Sequence, residues 1–141
     1  MRAFRKCWLC TVKPQYVALM KERKKTIEVR TRVPRDMRRG DGLYIMEKGT
    51  RTLALVARIE GIISFDRKEL FTKVPTYQLR RTCLNLSEID DYLKGRPRVN
   101  FIEITCEWLP TEAQRKYLTP EHFGYRCMPQ GILPMPGNWK P

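Results

Sequence analysis

Apolar positions in the first third of the chain switch period twice. Cys7 to Val12 is a nearly continuous apolar, β-prone run and predicts a strand. Lys13-Pro14 then opens a helix, since proline is tolerated at the first helical position. Tyr16, Leu19 and Met20 supply helical spacing to about Glu22. Over Thr26–Thr31 the spacing returns to two. Ile27 and Val29 face a core, while Thr26, Glu28 and Arg30 project together from the other face. Leu43–Glu47, Leu53–Ile63 and Val99–Trp108 predict further strands. The first of these follows a tight turn, Arg39-Gly40-Asp41-Gly42, whose glycines permit positive φ. Lys48-Gly49-Thr50-Arg51 reads as a hairpin connection, and Gly61 as a bulge or bend.

The middle of the chain is less regular. Phe65-Asp66 begins a helical region with Leu70 and Phe71, broken at Pro75. Ser87 is the expected N-cap of a helical turn through Leu93, with Asp90 near the capping-box position and Gly95 at its end. After Pro110 the character changes. Residues 111–141 carry five of the ten prolines with Phe123, Tyr125, Met128, Ile132, Leu133, Met135 and Trp139 among them. That pattern describes an irregular extension that buries aromatics on the domain. About five strands and a few short helices predict a small mixed sheet closing into a barrel.

Composition narrows the functional classes. The length of 141 residues fits one domain, and 42% hydrophobic residues argue against global disorder. No run of 18 apolar residues could span a membrane, and the basic start Met1–Lys6 lacks the apolar stretch of a secretory signal. A cytoplasmic or nuclear-type compartment is the expectation. Residues 1–40 hold 13 Lys/Arg against three acids, which places +10 of the formal +13 net charge there. Such a basic half is the footprint of a polyanionic partner, nucleic acid before an anionic membrane. The five cysteines are scattered and odd in number, unlike a disulfide framework. Cys7-Trp8-Leu9-Cys10 could join His122 and Cys127 around zinc, but the CxxC reads as strand, so buried thiols are expected and no metal.

The octet Arg23-Lys24-Lys25-Thr26-Ile27-Glu28-Val29-Arg30 carries the most chemistry. A carboxylate, a guanidinium and a hydroxyl beside a Lys-rich turn can hold a polar, partly anionic ligand. Taken alone, the octet is also compatible with a solvated strand edge bearing one weak ion pair. Its context resembles the ASCH family. Lys25-Thr26-Ile27-Glu28-Val29-Arg30 looks like the family signature GxKxxExR. The preceding Val12-Lys13-Pro14 and helix, the Arg39-Gly40-Asp41 turn, the Ala54–Ile63 strand, and Tyr92-Leu93-Lys94-Gly95 before Phe101-Ile102-Glu103-Ile104 follow in the family's order. The resemblance covers about residues 7–110.

What the resemblance implies is a PUA-like fold: an α+β small mixed β-barrel with peripheral short helices, over residues 1–110. The resemblance leaves residues 111–141 unexplained, and their pattern alone predicts a Pro-rich C-terminal extension packed on the domain. It also implies a pocket between barrel and helices for a nucleotide or RNA segment. By position Lys25, Glu28 and Arg30 are its residues, with Lys24 as an alternative register for the lysine. The signature glycine falls at Arg23 or is simply missing, which implies a different helix exit and a cation that narrows the cleft or reaches a phosphate. Some small members are amidohydrolases of acetylated cytidine, using a Lys, a nucleophilic Thr and a downstream Glu. Here Glu28 stands at the Thr position and no carboxylate lies near Thr76-Tyr77, so that activity does not carry over. Other members are nucleases, a role for which Lys25, Glu28 and Tyr44 supply proton-transfer groups. The single histidine excludes a two-histidine mechanism.

The expectation is therefore a nucleic-acid-binding module, for RNA or single strands, acting through Arg23, Lys24, Lys25, Thr26, Glu28, Arg30, Arg39 and Tyr44. No major-groove helix motif is present. Trp8, Tyr16, Tyr77, Tyr92 and Tyr125 add rings among the cations for stacking. A hydrolase or nuclease on RNA or a modified nucleoside, and a protein-interaction adaptor using the tail, are the alternatives. No cofactor is implied.

Overall fold

A computed structural model describes residues 3–126 and 131–136. Six strands form one mixed sheet: β1 Cys7–Val12, β2 Ile27–Arg30, β3 Gly42–Glu47, β4 Leu53–Asp66, β5 Arg98–Trp108 and β6 Leu133–Pro134. Their spatial order is β2-β5-β4-β3-β1-β6, with the β1/β3 pair parallel and the others antiparallel. The helices are α1 Pro14–Lys21, α2 Thr76–Thr82, α3 Leu86–Leu93 and the single turn α4 Glu112–Arg115.

The sheet bends where its ladders slip. β4 shifts register against β5 at Val56/Ala57 and at Ile59/Gly61, and β3 shifts against β4 at Ile45/Met46. The second slip is the bulge expected at Gly61. Bulges increase local twist, and here they curl the sheet until its ends approach. Arg30 Nη2 on β2 donates to the carbonyl of Thr11 on β1 at 2.8 Å, although three strands separate β1 from β2 in the ladder. The expected barrel nevertheless does not close. β6 pairs with β1 at Trp8 and Leu9, and β2 is four residues long, so the gap is bridged by a side chain rather than a ladder.

Three apolar clusters result. The first lies on the concave face, with Trp8, Cys10, Val12, Leu43, Ile45, Leu55 and Ile102. The second covers the opposite face, where Leu9, Tyr44, Met46, Leu53 and Val56 meet Leu118 and Phe123 of the C-terminal segment. The third packs α2 and α3 against Ile27, Val29, Val99 and Phe101. Gly42 is required for close approach rather than for φ, since an added Cβ would sit 2.6 Å from the Phe4 ring.

Several expected boundaries move. β4 runs to Asp66, so Phe65 and Asp66 end a strand, and only a 3-10 turn Arg67–Glu69 follows. Pro75 precedes α2, a helix whose polar Thr76-Tyr77-Gln78 start offers no apolar period. α3 is capped by Asn85, not Ser87. Asn85 Oδ1 accepts from the Glu88 amide at 2.8 Å and Glu88 Oε1 from the Asn85 amide at 3.1 Å.

Candidate functional site: a buried Lys–Glu–Arg cluster

The site begins with strand alternation. Ile27 and Val29 enter the third cluster, which turns Glu28 and Arg30 to the concave face beside Cys10. Register adds the partners: Glu28 lies opposite Ile102, and Arg30 opposite Asn100. The turn after α1 delivers Lys25 to the same place.

All three charged groups are withdrawn from solvent. The side chains of Lys25, Glu28 and Arg30 are 1%, 8% and 15% exposed. Glu28 Oε2 accepts from Arg30 Nε at 3.3 Å and Nη2 at 3.2 Å, and Oε1 accepts from the Val29 amide at 3.1 Å. Lys25 Nζ donates to the Thr82 carbonyl at 2.6 Å, lies 3.8 Å from Glu28 Oε1 and sits 5.1 Å from the centre of the Tyr16 ring. Asn100 Nδ2 holds the carbonyls of Arg30 and Thr31 at 3.3 Å each, while its Oδ1 meets Ser64 Oγ.

Burial sets the electrostatics. Desolvation pushes the Lys25 ammonium below the usual lysine value, and Glu28 pulls it partly back. Desolvation also opposes the Arg30 charge, but Cys10 and Glu28 outweigh it and the pKa is raised. Burial pushes the Cys10 thiol up to about 12. Tyr16 is raised by burial and then by Glu88 and Glu28. With its side chains in their ordinary charge states, the cluster holds two cations against one carboxylate.

The structure thus brings Lys25, Glu28 and Arg30 together and separates the other candidates. Lys25 is the buried lysine; Lys24 is exposed and pairs with Glu22 at 3.0 Å. Thr26 Oγ1 accepts from Arg81 Nε at 2.8 Å. Arg23 and Arg39 are exposed. Tyr44 is 1% exposed in the second cluster, on the face of the sheet opposite the Lys–Glu–Arg group, so it supplies no proton there. Arg23, at the signature's glycine position, takes φ +62°, the left-handed conformation a glycine adopts without strain. Cys7 and Cys10 belong to clusters on opposite faces and cannot share one ion. Among the described residues no group of three or more His, Cys, Asp or Glu is placed to hold a metal. Cys127, Met128 and Trp139 lie outside the described residues.

Two participants, and one structural acid away from the cluster, escaped sequence reasoning. Asn100 and the Thr82 carbonyl enter through register and packing from 57 to 70 residues away. Asp41, 0% exposed, is a structural hub. It accepts from Arg5 Nε and Trp8 Nε1, each at 2.8 Å, and from the Arg38 amide at 3.0 Å. An acid between two glycines was the only available signal.

These features define a class: an α+β domain whose curled mixed sheet presents a buried Lys–Glu–Arg cluster. The ASCH domain profile matches residues 11–113, and the chain belongs to the ASCH family. No curated protein matches by sequence. Among solved structures, the ASCH protein of Zymomonas mobilis is similar at 19% identity and TM-score 0.68, over 91% of this chain and 86% of that one. A serine-to-alanine variant of it gives TM-score 0.69 over 91% and 87%. A protein described as hypothetical matches at 21% identity and TM-score 0.52, over 72% of this chain and 99% of that one.

Proposed function

We propose that this chain is a nucleic-acid-binding module that recognises a nucleotide or modified base of RNA or another single strand at the Lys25–Glu28–Arg30 cluster. One observation carries the reading: a buried, hydrogen-bonded group of two cations and one carboxylate. Burial costs such a cluster desolvation energy, so it is a poor route to stability. Its excess positive charge favours an anionic or electron-rich ligand. Arg30 presents a planar fork, and Glu28 supplies an acceptor for amino or hydroxyl groups. The basic excess of residues 1–40 supplies long-range attraction.

The depressed pKa of Lys25 favours a second reading, a hydrolase or nuclease in which Lys25 moves a proton and Glu28 orients the reacting group. Binding and cleavage assays with single-stranded RNA, single-stranded DNA, duplexes and free modified nucleosides separate the two. Glu28→Gln keeps shape and removes charge. It is expected to abolish preference among ligands while general RNA affinity persists, and to abolish turnover where turnover exists. Arg30→Ala is expected to weaken binding and to cost about 3 kcal/mol of stability by leaving buried Glu28 without its guanidinium partner, with only the Val29 amide and Lys25 beside it. Wild-type selectivity and rate in both variants, measured on folded protein, would place recognition elsewhere.

A further inference from the structure

The face that carries Glu28 and Arg30 does not end at β2. Across the β2/β5 ladder Arg30 lies opposite Asn100, and two residues along β5 the same face presents Arg98. Thr31 and Arg32 continue from β2, and Arg96 Nη1 reaches back to Thr31 Oγ1 at 3.0 Å. Thr31, Arg32, Arg96, Pro97 and Arg98 line a depression of about 290 Å³. Pro97 also borders a second, larger depression of about 540 Å³, whose wall includes Arg67, Lys68 and Phe71. Two acids lie in it, and both are engaged: Asp66 Oδ1 is 3.2 Å from Arg98 Nη1, and Asp90 Oδ1 is 2.8 Å from Arg67 Nε. Cations therefore outnumber acids along the joined surface. Phe71 is 60% exposed, so its ring is open to a ligand in this depression.

We propose that Arg32, Arg96 and Arg98 form a phosphate track leading from the Arg30 end of β2 to Phe71, and that a single-stranded nucleic acid lies along it with one base stacked on Phe71. This rests on the nucleic-acid reading above and extends it from one nucleotide to several. Guanidinium groups suit phosphate oxygens because their donors are planar and forked. An exposed ring beside them offers a sequence-tolerant stacking platform. A regular duplex buries the base faces that such a ring needs, so a single strand fits better. An acidic peptide shares the charge but gains nothing specific from Phe71.

The test measures binding of a fluorescent oligouridine of eight nucleotides to the full chain across a salt series, with melting curves to verify folding. Arg32→Glu, Arg96→Glu and Phe71→Ala probe the track, and Arg30→Ala probes the buried cluster. Arg32→Glu guards against a folding defect in Arg96→Glu, which loses the Thr31 bond. The expected result is a weakening of roughly tenfold for Phe71→Ala, from loss of one stacked base. Each arginine reversal should lower the log–log salt slope by about 0.7 or more. Wild-type binding that falls in Arg30→Ala but is unchanged in all three track variants would overturn the track and leave the buried cluster as the site. Binding that falls in the track variants but not in Arg30→Ala supports the track and removes recognition from the cluster. No binding by the wild type defeats both. Displacement of the oligonucleotide by an equal charge of polyglutamate, with Phe71→Ala unaltered, overturns the single-strand assignment in favour of an acidic protein partner.

Discussion

Lys25 and Lys24 are neighbours with opposite fates, which shows how little side-chain identity decides at the residue scale. One extends into solvent towards Glu22, and the other is folded under α2 onto a backbone carbonyl. The backbone just before them is equally specific. Arg23 holds φ +62°, where a β-carbon crowds the backbone, at a cost of about 1 kcal/mol. Arg23→Gly should therefore stabilise the fold by about 0.5–1 kcal/mol in urea titrations, whereas Arg23→Ala should not. Equal effects of both changes would mean that charge, not conformation, matters there. Cys10 and Lys25 make opposite contributions in alkali. Folded Cys10 keeps its proton until about pH 12, whereas its ordinary value is 9.0. The folded state thus binds more protons across that window, and stability falls as pH rises through it. Lys25 is lowered from 10.5, so its contribution rises with pH from the folded value to 10.5. Cys10→Ala removes only the falling component. Its urea midpoint should decline less than the wild type's between pH 9 and 11, and parallel curves would refute the assignment.

At the scale of elements, five of the six strands were legible, β6 lying in the extension read as irregular, and their partners were not. Alternation over Thr26–Arg30 and β-prone runs at Cys7–Val12 and Val99–Trp108 depend on neighbours in sequence, so they predict their own faces. Lys25, Glu28 and Arg30 could be named for the same reason, being three positions of one short motif. Asn100, the Thr82 carbonyl and the opposite-face position of Tyr44 depend on register and layer, which no local pattern carries. α2 was missed because only Gln78 and Thr82 among its residues are buried, both polar and one turn apart. The α3 cap was misplaced because Ser87 and Asn85 are both good caps, and packing of Ile89 and Leu93 decides between them. That choice is testable. Asn85→Ala should cost about 1 kcal/mol in chemical denaturation, while Ser87→Ala, inside the helix and exposed, should be near neutral. The reverse order would contradict the capping box.

The whole molecule depends on how its curled sheet is covered on both faces. Inside lies the first cluster, with the charged group at its margin. Outside, β1, β3 and β4 present Leu9, Tyr44, Met46, Leu53 and Val56, an apolar surface that the strands cannot cover alone. Phe4 reaches it from one end and Leu118 and Phe123 from the other. The Phe4 and Phe123 rings stand edge-on to Tyr44, with centroids 6.5 and 6.2 Å away. The Leu53 amide donates to the Leu118 carbonyl at 2.7 Å, and β6 pairs with the edge of β1. Leu118, Phe123 and β6, all after Pro110, are then part of the fold's cover. Phe123 is 2% exposed, so Phe123→Ala should cost about 3–5 kcal/mol by removing apolar contact and opening a cavity over Tyr44. Tyr117 lies six residues earlier and is 74% exposed, so Tyr117→Ala should stay within about 0.5 kcal/mol. Urea denaturation followed by tryptophan fluorescence reads both. A cost below about 1 kcal/mol for Phe123→Ala would mean that the sheet holds together without this cover. A large cost makes residues 118–123 a required layer of the domain.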